Sequence, residues 1–169
     1  PAEYTALKAL AKKYDLKIIE DSCQAVGAEY NGERAGKLGD LGCFSFYATK
    51  NMMCGEGGMV TTDNEEYAEQ CRRFRHHGMS EQTRYQYFDL GYNYRMMDIQ
   101  AAIAIVQLKK MDHINQKRTY NASKLTEGLL AIEGIRTPVT QKGVQHVFHQ
   151  YTIAFEDYKF SRDEMIEKL

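Results

Sequence analysis

Residues 16–62, LKIIEDSCQAVGAEYNGERAGKLGDLGCFSFYATKNMMCGEGGMVTT, contain the pattern that decides the fold. The stretch begins with LKIIE, which is short, apolar and rich in β-formers, and predicts a strand that delivers the chain to Asp21. Residues 43–47, CFSFY, predict a second strand, and Lys50 follows it closely. Because α/β sheets bind ligands at the carboxyl ends of their strands, Asp21 and Lys50 are candidate site residues.

Glycine-rich turns separate these strands from the next one. Residues 30–42, YNGERAGKLGDLG, carry four glycines and predict a turn or hairpin. Residues 55–58, GEGG, let the backbone approach a neighbour closely, and they precede residues 59–62, MVTT, which predict a third strand.

Helical patterns flank this region. Residues 3–14 place apolar side chains at three- and four-residue spacing and predict an amphipathic helix. Asp63 is a plausible N-cap for a helix over residues 64–77. Residues 97–130 have a helical pattern throughout, with Asp98 as a possible cap.

The remaining segments are less regular. Residues 78–95 show no sustained period and predict a loop, which at that length is typically functional or disordered. Residues 150–155 predict a strand, and Ser161 with Glu164 predicts a capping box for a last helix. Because the chain opens inside an apparent helix and closes at a helix start, we expect it to be a piece of a longer protein.

Composition excludes several classes of function. The 169 residues carry 22 basic and 23 acidic side chains, so a net charge of −1 predicts no nucleic-acid or anionic-membrane partner. No run approaches the ~20 apolar residues of a membrane span and no secretory signal opens the chain, so a cytoplasmic location is expected. The four cysteines form no CxxC pair, and His76 and His77 have no further ligand at metal spacing, so free thiols and no metal are expected.

A lysine after a strand, beside a glycine-rich loop and a strand-end aspartate, fits pyridoxal-phosphate chemistry. The amine of Lys50 would reach the cofactor aldehyde, and the carboxylate of Asp21 would keep the ring nitrogen protonated, so that the ring withdraws electrons. Spacing alone leaves other interpretations open, because a lysine after a strand is commonly a solvated charge and an aspartate there is commonly a helix cap.

Four segments of sequence resolve this choice by resemblance. They are EDSCQAVGAEYNGERAGKLGDLGCFSFYATKN, GEGGMVTTD, RRFRHHGM and LGYNYRMMDIQAAIAIVQL, in this order. Together they resemble the DegT/DnrJ/EryC1/StrS family of pyridoxal-phosphate-dependent sugar aminotransferases.

The resemblance implies an α/β fold: part of the large domain of a type I pyridoxal-phosphate transferase, followed by the start of a smaller α+β domain. The large domain of that fold has a mixed, mostly parallel sheet with helices on both faces. Residues 1–96 would then be the C-terminal half of the cofactor-binding domain. Residues 97–130 would be a long connecting helix, and residues 131–169 the truncated small domain.

The resemblance also implies roles for cofactor-binding residues. Lys50 would be the catalytic lysine that binds the cofactor as a Schiff base, and Asp21 the partner of the pyridine nitrogen. Gln24 would lie by the phenolic oxygen of the cofactor, and Ser45 would bind its phosphate. A polar residue in a helix turn and a buried strand serine are the structural alternatives for Gln24 and Ser45.

Asn93 and Arg95 of the GYNYR segment carry a further implication. In the family, Asn93 would reach the cofactor phosphate of a second subunit, which implies a homodimer with shared active sites. Arg95 would serve a sugar phosphate or the interface, with a structural salt bridge as the alternative. His146 and His149 resemble a segment that borders the substrate in relatives, but the match is too weak to assign them.

The function implied is transamination. An amino group from an amino acid, glutamate or glutamine, would pass to a keto group of a nucleotide-linked sugar, for polysaccharide or glycan synthesis. Retention of Lys50 favours this reaction over a dehydratase branch of the family, in which histidine replaces the lysine. The alternatives are a non-catalytic regulatory or structural relative, or an inactive fragment of the enzyme. A nucleotide-binding module is disfavoured because GxGxxG and P-loop motifs are absent from the sequence.

Overall fold

The computed structural model describes residues 1–80, 82–83, 85–156 and 160–169. Within these ranges the chain forms five helices and eight short strands. In chain order they are α1 (Tyr4–Tyr14), β1 (Ile19–Asp21), β2 (Glu29–Tyr30), β3 (Glu33–Arg34), β4 (Leu41–Ser45), β5 (Gly58–Thr61), α2 (Glu65–Arg75), α3 (Asp98–Leu108), α4 (Met111–Leu129), β6 (Ile135–Arg136), β7 (Val144–Gln145), β8 (Ala154–Phe155) and α5 (Arg162–Lys168).

The main sheet has the strand order β1-β4-β5. Strand β1 runs parallel to β4, with Asp21 opposite Cys43, and β4 runs antiparallel to β5, with Ser45 opposite Gly58. The sheet is therefore mixed, as predicted, with one parallel and one antiparallel pair. Because β1 and β4 are parallel, their carboxyl ends, at Asp21 and Ser45, lie at the same edge.

A second sheet brings the late part of the chain back to the early part. Strands β2 and β3 form the predicted hairpin, and Asn31 (φ 50°) and Gly32 (φ 83°) occupy its turn in the left-handed conformation of a type I′ turn. Strand β7 pairs with the other side of β2, in the order β3-β2-β7. The backbone N–H of Asn31 also donates to the carbonyl of Gly143 at 2.6 Å.

The glycine-rich loop before β4 is fixed by a buried carboxylate. Glu20 is 4% exposed, and its two oxygens accept hydrogen bonds from the backbone N–H groups of Gly36 and Gly39, each at 2.7 Å. The hydroxyl of Ser22 donates to the same carboxylate at 3.3 Å. A buried carboxylate with several donors is well satisfied, so β1 and this loop hold each other in place.

The main buried cluster joins the end of β4 to α3 and α4. Phe46 and Met52, on either side of Lys50 in sequence, are 5% and 4% exposed. The other buried members of the cluster are Val26, Cys54, Ala104 and Met111. The turn that carries Lys50 is therefore anchored at both ends by apolar burial. In the described part of the chain, no helix is both long and apolar enough to cross a bilayer.

The cap of α2 differs from the predicted one. Asn64, not Asp63, caps this helix, because its side-chain oxygen accepts hydrogen bonds from the backbone N–H groups of Glu66 and Tyr67. Both residue types are good caps, and the role falls to the residue with an extended backbone at the helix start.

The helical pattern of residues 97–130 is realised as two helices, α3 and α4, rather than one. The backbone N–H of Lys110 donates to the carbonyl of Gln107 at 3.0 Å. This hydrogen bond to the third preceding residue is of the 3₁₀ type and ends α3. Asp98 is the first residue of α3 and not its cap. The division of the chain into domains stays a prediction.

The last predicted elements are partly as expected. Of residues 150–155, only Ala154 and Phe155 form a strand, β8, which pairs with β6. The capping box is confirmed, since the side chain of Ser161 accepts from the N–H of Glu164 and the Glu164 carboxylate accepts from the N–H of Ser161. All four cysteines are free thiols, also as expected.

Candidate functional site

Asp21 is an exposed carboxylate at the carboxyl end of β1. One of its oxygens accepts a hydrogen bond from the backbone N–H of Cys23 at 3.2 Å. Hydrogen bonding from the side chain and then the backbone of Cys23, followed by the charge of Lys50, lowers the pKa of Asp21. The carboxylate is therefore ionised at neutral pH, as a partner for a protonated ring nitrogen must be.

Lys50 lies half-buried in the turn that follows β4. Its backbone N–H donates to the carbonyl of Tyr47 at 2.9 Å, which closes the turn. Its charge contributes, after larger causes, to lowering the pKa of both Asp21 and His149. The structure thus brings the two predicted central residues, Asp21 and Lys50, to one edge of the main sheet.

A cleft of about 360 Å³ adjoins this edge. Its polar lining includes Asp21, Gln24, His146, His149, Gln150 and Thr152. Asp21 and Gln24 therefore share one cleft, as the predicted roles require. The opposite wall comes from the segment after β7, which the second sheet carries to this position.

Ser45 ends β4 at the same edge. It is half-buried, and its hydroxyl oxygen accepts a hydrogen bond from the backbone N–H of Tyr47 at 3.3 Å. It stands two residues beyond Cys43, the partner of Asp21 in the sheet. Its hydroxyl hydrogen is left to donate to a ligand, which is compatible with the predicted contact to phosphate.

Asn93 and Arg95 lie elsewhere, at the end of α2. Asn93 forms an isolated β-bridge with His76, and a guanidinium nitrogen of Arg95 donates to Nδ1 of His76 at 2.9 Å. Both side chains are exposed. Among the described residues, no hydrogen bond or ion pair joins either of them to Asp21 or Lys50. Within one chain, the structure does not bring these two residues to the cleft.

A buried polar network beside Lys50 was missed by the sequence analysis. Asn51 and Asn115 are each 6% exposed, and their side chains are hydrogen-bonded to each other at 3.0 Å. Asn51 also contacts Nδ1 of His149 at 3.2 Å. Adjacency of Asn51 to Lys50 was a local signal, but nothing in the sequence pairs it with residues in α4 and after β7.

The pKa values of the two histidines in the cleft wall, His146 and His149, are both lowered. Burial lowers the pKa of His146, and Nδ1 of this ring accepts from the backbone N–H of Phe148 at 2.9 Å. Burial, then the charges of Lys50 and Arg118, lowers the pKa of His149. Both rings are therefore neutral at pH 7, so they serve as hydrogen-bonding groups and not as cations.

A larger cleft of about 1160 Å³ lies between β5 and α2. It is lined mainly by sheet and helix side chains such as Phe44, Met59, Val60 and Phe74, and it contains none of the predicted site residues. The volume of a cleft does not by itself identify the functional site in this protein. The smaller cleft combines an ionised strand-end carboxylate, an amide and a nearby lysine, which is the combination that carries chemistry.

A mixed α/β sheet with a lysine-bearing turn and an ionised carboxylate at one edge is the arrangement expected of the class of proteins that bind a carbonyl cofactor through a lysine. Within this class, the chain belongs to the DegT/DnrJ/EryC1/StrS aminotransferase family, whose family model matches residues 1–169. The predicted family is confirmed.

Two curated relatives illustrate the range of the family. A pleiotropic regulatory protein of Geobacillus stearothermophilus is 42% identical over 155 residues, which cover 90% of this chain and 41% of that protein. A UDP-N-acetyl-3-dehydro-alpha-D-glucosamine 3-aminotransferase of Acidithiobacillus ferrooxidans is 41% identical over 154 residues, with the same coverage of 90% and 41%. The chain thus spans less than half the length of these curated relatives.

A solved structure has the same fold. A putative sugar aminotransferase from Streptococcus pneumoniae, in its PLP-form, superposes with a TM-score of 0.90 at 26% identity, over 100% of this chain and 49% of that one. The predicted fold class, a partial type I α/β domain, is confirmed by this neighbour. The family and its PLP-form structure indicate pyridoxal 5′-phosphate as the family cofactor.

Proposed function

We propose that this chain carries the cofactor-binding lysine of a pyridoxal-phosphate-dependent aminotransferase that aminates a keto group on a nucleotide-linked sugar. The observation that carries the proposal is that Asp21 ends β1 while the turn of Lys50 follows β4, the parallel neighbour of β1, so both residues lie at one edge of the main sheet. The 41% identity to an aminotransferase whose name specifies a UDP-linked sugar supports the substrate class.

The residues of the edge match the donors that such a cofactor needs. The amine of Lys50 would bind its aldehyde, the Asp21 carboxylate would pair with its ring nitrogen, and Gln24, which lines the same cleft, would contact its phenolic oxygen. The Ser45 hydroxyl would donate to its phosphate. When bound, pyridoxal phosphate supplies an electron sink for the substrate α-carbon.

Lys50 would also do the proton transfer. Lys50 is half-buried in a turn that the Tyr47 carbonyl closes. Its side chain therefore stays partly accessible to a ligand. Such an amine would be able to move a proton between the α-carbon of the amino-acid donor and the aldehyde carbon of the cofactor. Glutamate or glutamine is proposed as the donor.

We propose that Asn93 and Arg95 complete the site of a second subunit. Both are exposed and anchored to His76 at the end of α2, outside the cleft that contains Asp21. An exposed pair of polar side chains, held by a fixed contact, is suited to reach a partner's phosphate groups. A homodimer with shared active sites follows from this proposal. A cytoplasmic location remains a prediction.

The second candidate function is a regulatory or structural role without catalysis. The 42% identity to a pleiotropic regulatory protein favours considering it. The two candidates differ in whether Lys50 reacts with the cofactor, because a purely regulatory relative has no need of a free amine beside Asp21.

The test uses the complete protein that contains this chain. Pyridoxal phosphate is added, the lysine–cofactor bond is reduced with borohydride, and the modified peptide is mapped by mass spectrometry. We expect a visible absorbance band before reduction and the label on Lys50, both lost in Lys50→Ala. Lys37→Ala, an exposed lysine in the larger cleft, is the matched control and should keep both. A label that persists elsewhere in Lys50→Ala, with turnover intact, would rule out the assignment.

A further inference from the structure

The pair Asn51 and Asn115 forms a buried, hydrogen-bonded polar network. The amide nitrogen of Asn51 donates to the side-chain oxygen of Asn115 and to the carbonyl of Val147, each at 3.0 Å. The amide nitrogen of Asn115 donates to the carbonyl of Val26 at 3.0 Å. Since buried side-chain amides are costly unless paired, these bonds fix the geometry of all four residues.

The network also fixes which way each amide faces. Backbone carbonyls only accept, so Val147 requires the nitrogen of Asn51, and Val26 requires the nitrogen of Asn115. The oxygen of Asn51 is then the atom that faces Nδ1 of His149 at 3.2 Å. An oxygen that only accepts needs a donor opposite it, so Nδ1 of His149 carries the proton.

The consequence for His149 is a defined tautomer. A neutral imidazole with a proton on Nδ1 has an unprotonated Nε2, which accepts a hydrogen bond. The charges near this ring are the cations Lys50 and Arg118, and the carboxylate of Asp21 lines the same cleft. These cations, together with burial, favour the neutral ring.

The network joins the segments that build the cleft. Val26 follows Asp21 and Gln24, Asn51 follows Lys50, and Val147 precedes His149 in the opposite wall. Asn115 in α4 bonds Val26 and Asn51, and Asn51 in turn bonds Val147. Its approach depends on Gly27, because a Cβ there would lie 2.6 Å from the amide nitrogen of Asn115.

We propose that Asn51, held by Asn115, is a positioning residue: it fixes the turn of Lys50 and locks His149 with its proton on Nδ1, so that Nε2 of His149 accepts a hydrogen bond from a hydroxyl or ammonium group of the ligand in the cleft. This inference rests on the proposed function for the role of Lys50. The tautomer itself requires only the network.

The first experiment measures the tautomer in the complete protein without cofactor. Long-range proton–nitrogen correlation spectra of the histidine rings, with His149 assigned through His149→Gln, distinguish a protonated Nδ1 from a protonated Nε2. We expect the Nδ1–H pattern at pH 7. A ring protonated on Nε2 overturns the proposal, whatever the variants do.

The second experiment removes the support and leaves the positioned residues in place. Asn115→Ala deprives the Asn51 amide of one acceptor, so that it can rotate and turn its nitrogen toward His149. We expect loss of the Nδ1–H pattern and a decrease of about tenfold to hundredfold in the rate of reductive labelling of Lys50 by pyridoxal phosphate. The matched control is Asn121→Ala, an exposed asparagine on the same helix, which should change neither.

The outcomes separate this inference from the proposed function. If Asn115→Ala folds but keeps both the tautomer and the labelling rate, the positioning role is wrong. If Asn115→Ala does not fold, the test uses the wild-type tautomer and the spectra of Gly27→Ala, in which the added methyl group presses on Asn115. A His149 tautomer in Gly27→Ala that is unchanged from the wild type overturns the proposal. Failure of the proposed function shows separately, as absence of any Lys50 label in the wild-type protein.

Discussion

Two regions with predicted cofactor contacts differ sharply in how they are held. The sheet edge with Asp21 and Lys50 is fixed from within by buried groups, Glu20 on one side and the Asn51–Asn115 pair on the other. The polar residues of the GYNYR segment are exposed, and they meet His76 through the guanidinium of Arg95 and the backbone of Asn93. A reactive amine needs a rigid support in its own chain, whereas a group that completes a neighbour's site must remain accessible. Under the proposed function, the sheet edge supports the reactive lysine within its own chain, and the GYNYR segment contributes to the site of a second subunit.

The largest effect on turnover should come from a substitution of Lys50 at the edge of the main sheet. Lys50→Arg keeps the positive charge near Asp21 but removes the amine that binds an aldehyde and moves a proton. We expect turnover in the complete protein to fall by about 10²–10⁴-fold or more, the range for loss of a general acid–base group. Transfer of an amino group to a keto sugar, measured at saturating cofactor, checks this. Arg95→Lys is the comparison in the GYNYR segment and should cost far less; an equal loss would contradict this difference between the two regions.

The support of the edge can be tested by stability. Glu20→Ala leaves the buried N–H groups of Gly36 and Gly39 without their acceptor, and we expect a loss of about 3 kcal/mol in the free energy of unfolding. Glu20→Gln keeps one acceptor and should cost about half of that. Chemical denaturation measures both. The exposed Glu133→Ala serves as control, and a Glu20→Ala protein as stable as this control would show that the carboxylate does not hold the loop.

The proposal that Asn93 completes the site of a second subunit can be tested by mixing subunits. Asn93→Ala alone should weaken cofactor binding by about tenfold, the effect of one lost charge-assisted hydrogen bond. When Asn93→Ala and Lys50→Ala chains are mixed equally, half of the dimers combine the two and each contains one intact site. At a cofactor concentration that leaves the Asn93→Ala homodimer mostly unloaded, recovery to about a quarter of wild-type turnover is expected for such a two-fold dimer. A mixture no more active than its separate parts would place both residues in the same subunit's site.

The smallest effect concerns the cleft wall. The folded state lowers the pKa of His149, so below the ordinary histidine value of about 6.5 the unfolded chain takes up a proton that the folded chain resists. Stability therefore decreases as the pH falls from about 6.5, and the decrease ends below the folded pKa. His149→Gln should make this decrease shallower without abolishing it, because the pKa of His146 is lowered too. Unfolding curves between pH 7 and pH 5 measure the slope; identical slopes would contradict the burial of a neutral ring.

Local patterns predicted the parts of the fold that depend on neighbours in sequence. The strand ends at Asp21 and before Lys50, the turn or hairpin within residues 30–42 and the Ser161–Glu164 box follow from residue type and spacing. Where two adjacent residues were both suitable caps, as at Asp63 and Asn64, the pattern could not choose, because backbone conformation decides.

The rest depends on tertiary contacts that no local pattern encodes. The Asn51–Asn115 bond joins the turn after β4 to the middle of α4, and each asparagine alone resembles an ordinary polar residue. The interruption between α3 and α4 likewise lies in a run of good helix formers. The resemblance to a family supplied roles for Gln24, Ser45 and Asn93 that bare spacing would not have assigned.

The pairing of β7 with β2 has a consequence for the order of assembly. Glu29 and Gln145 face each other in one sheet although they come from opposite ends of this chain. During synthesis the lysine-bearing turn leaves the ribosome well before the strand that brings His149 to the cleft. Contacts between distant segments form slowly and late, so the nascent chain passes through a stage in which Lys50 has no opposite wall. Under the proposed function, a cofactor that arrives at that stage would meet an open site, and the site would close only after residues 144–152 have been synthesised.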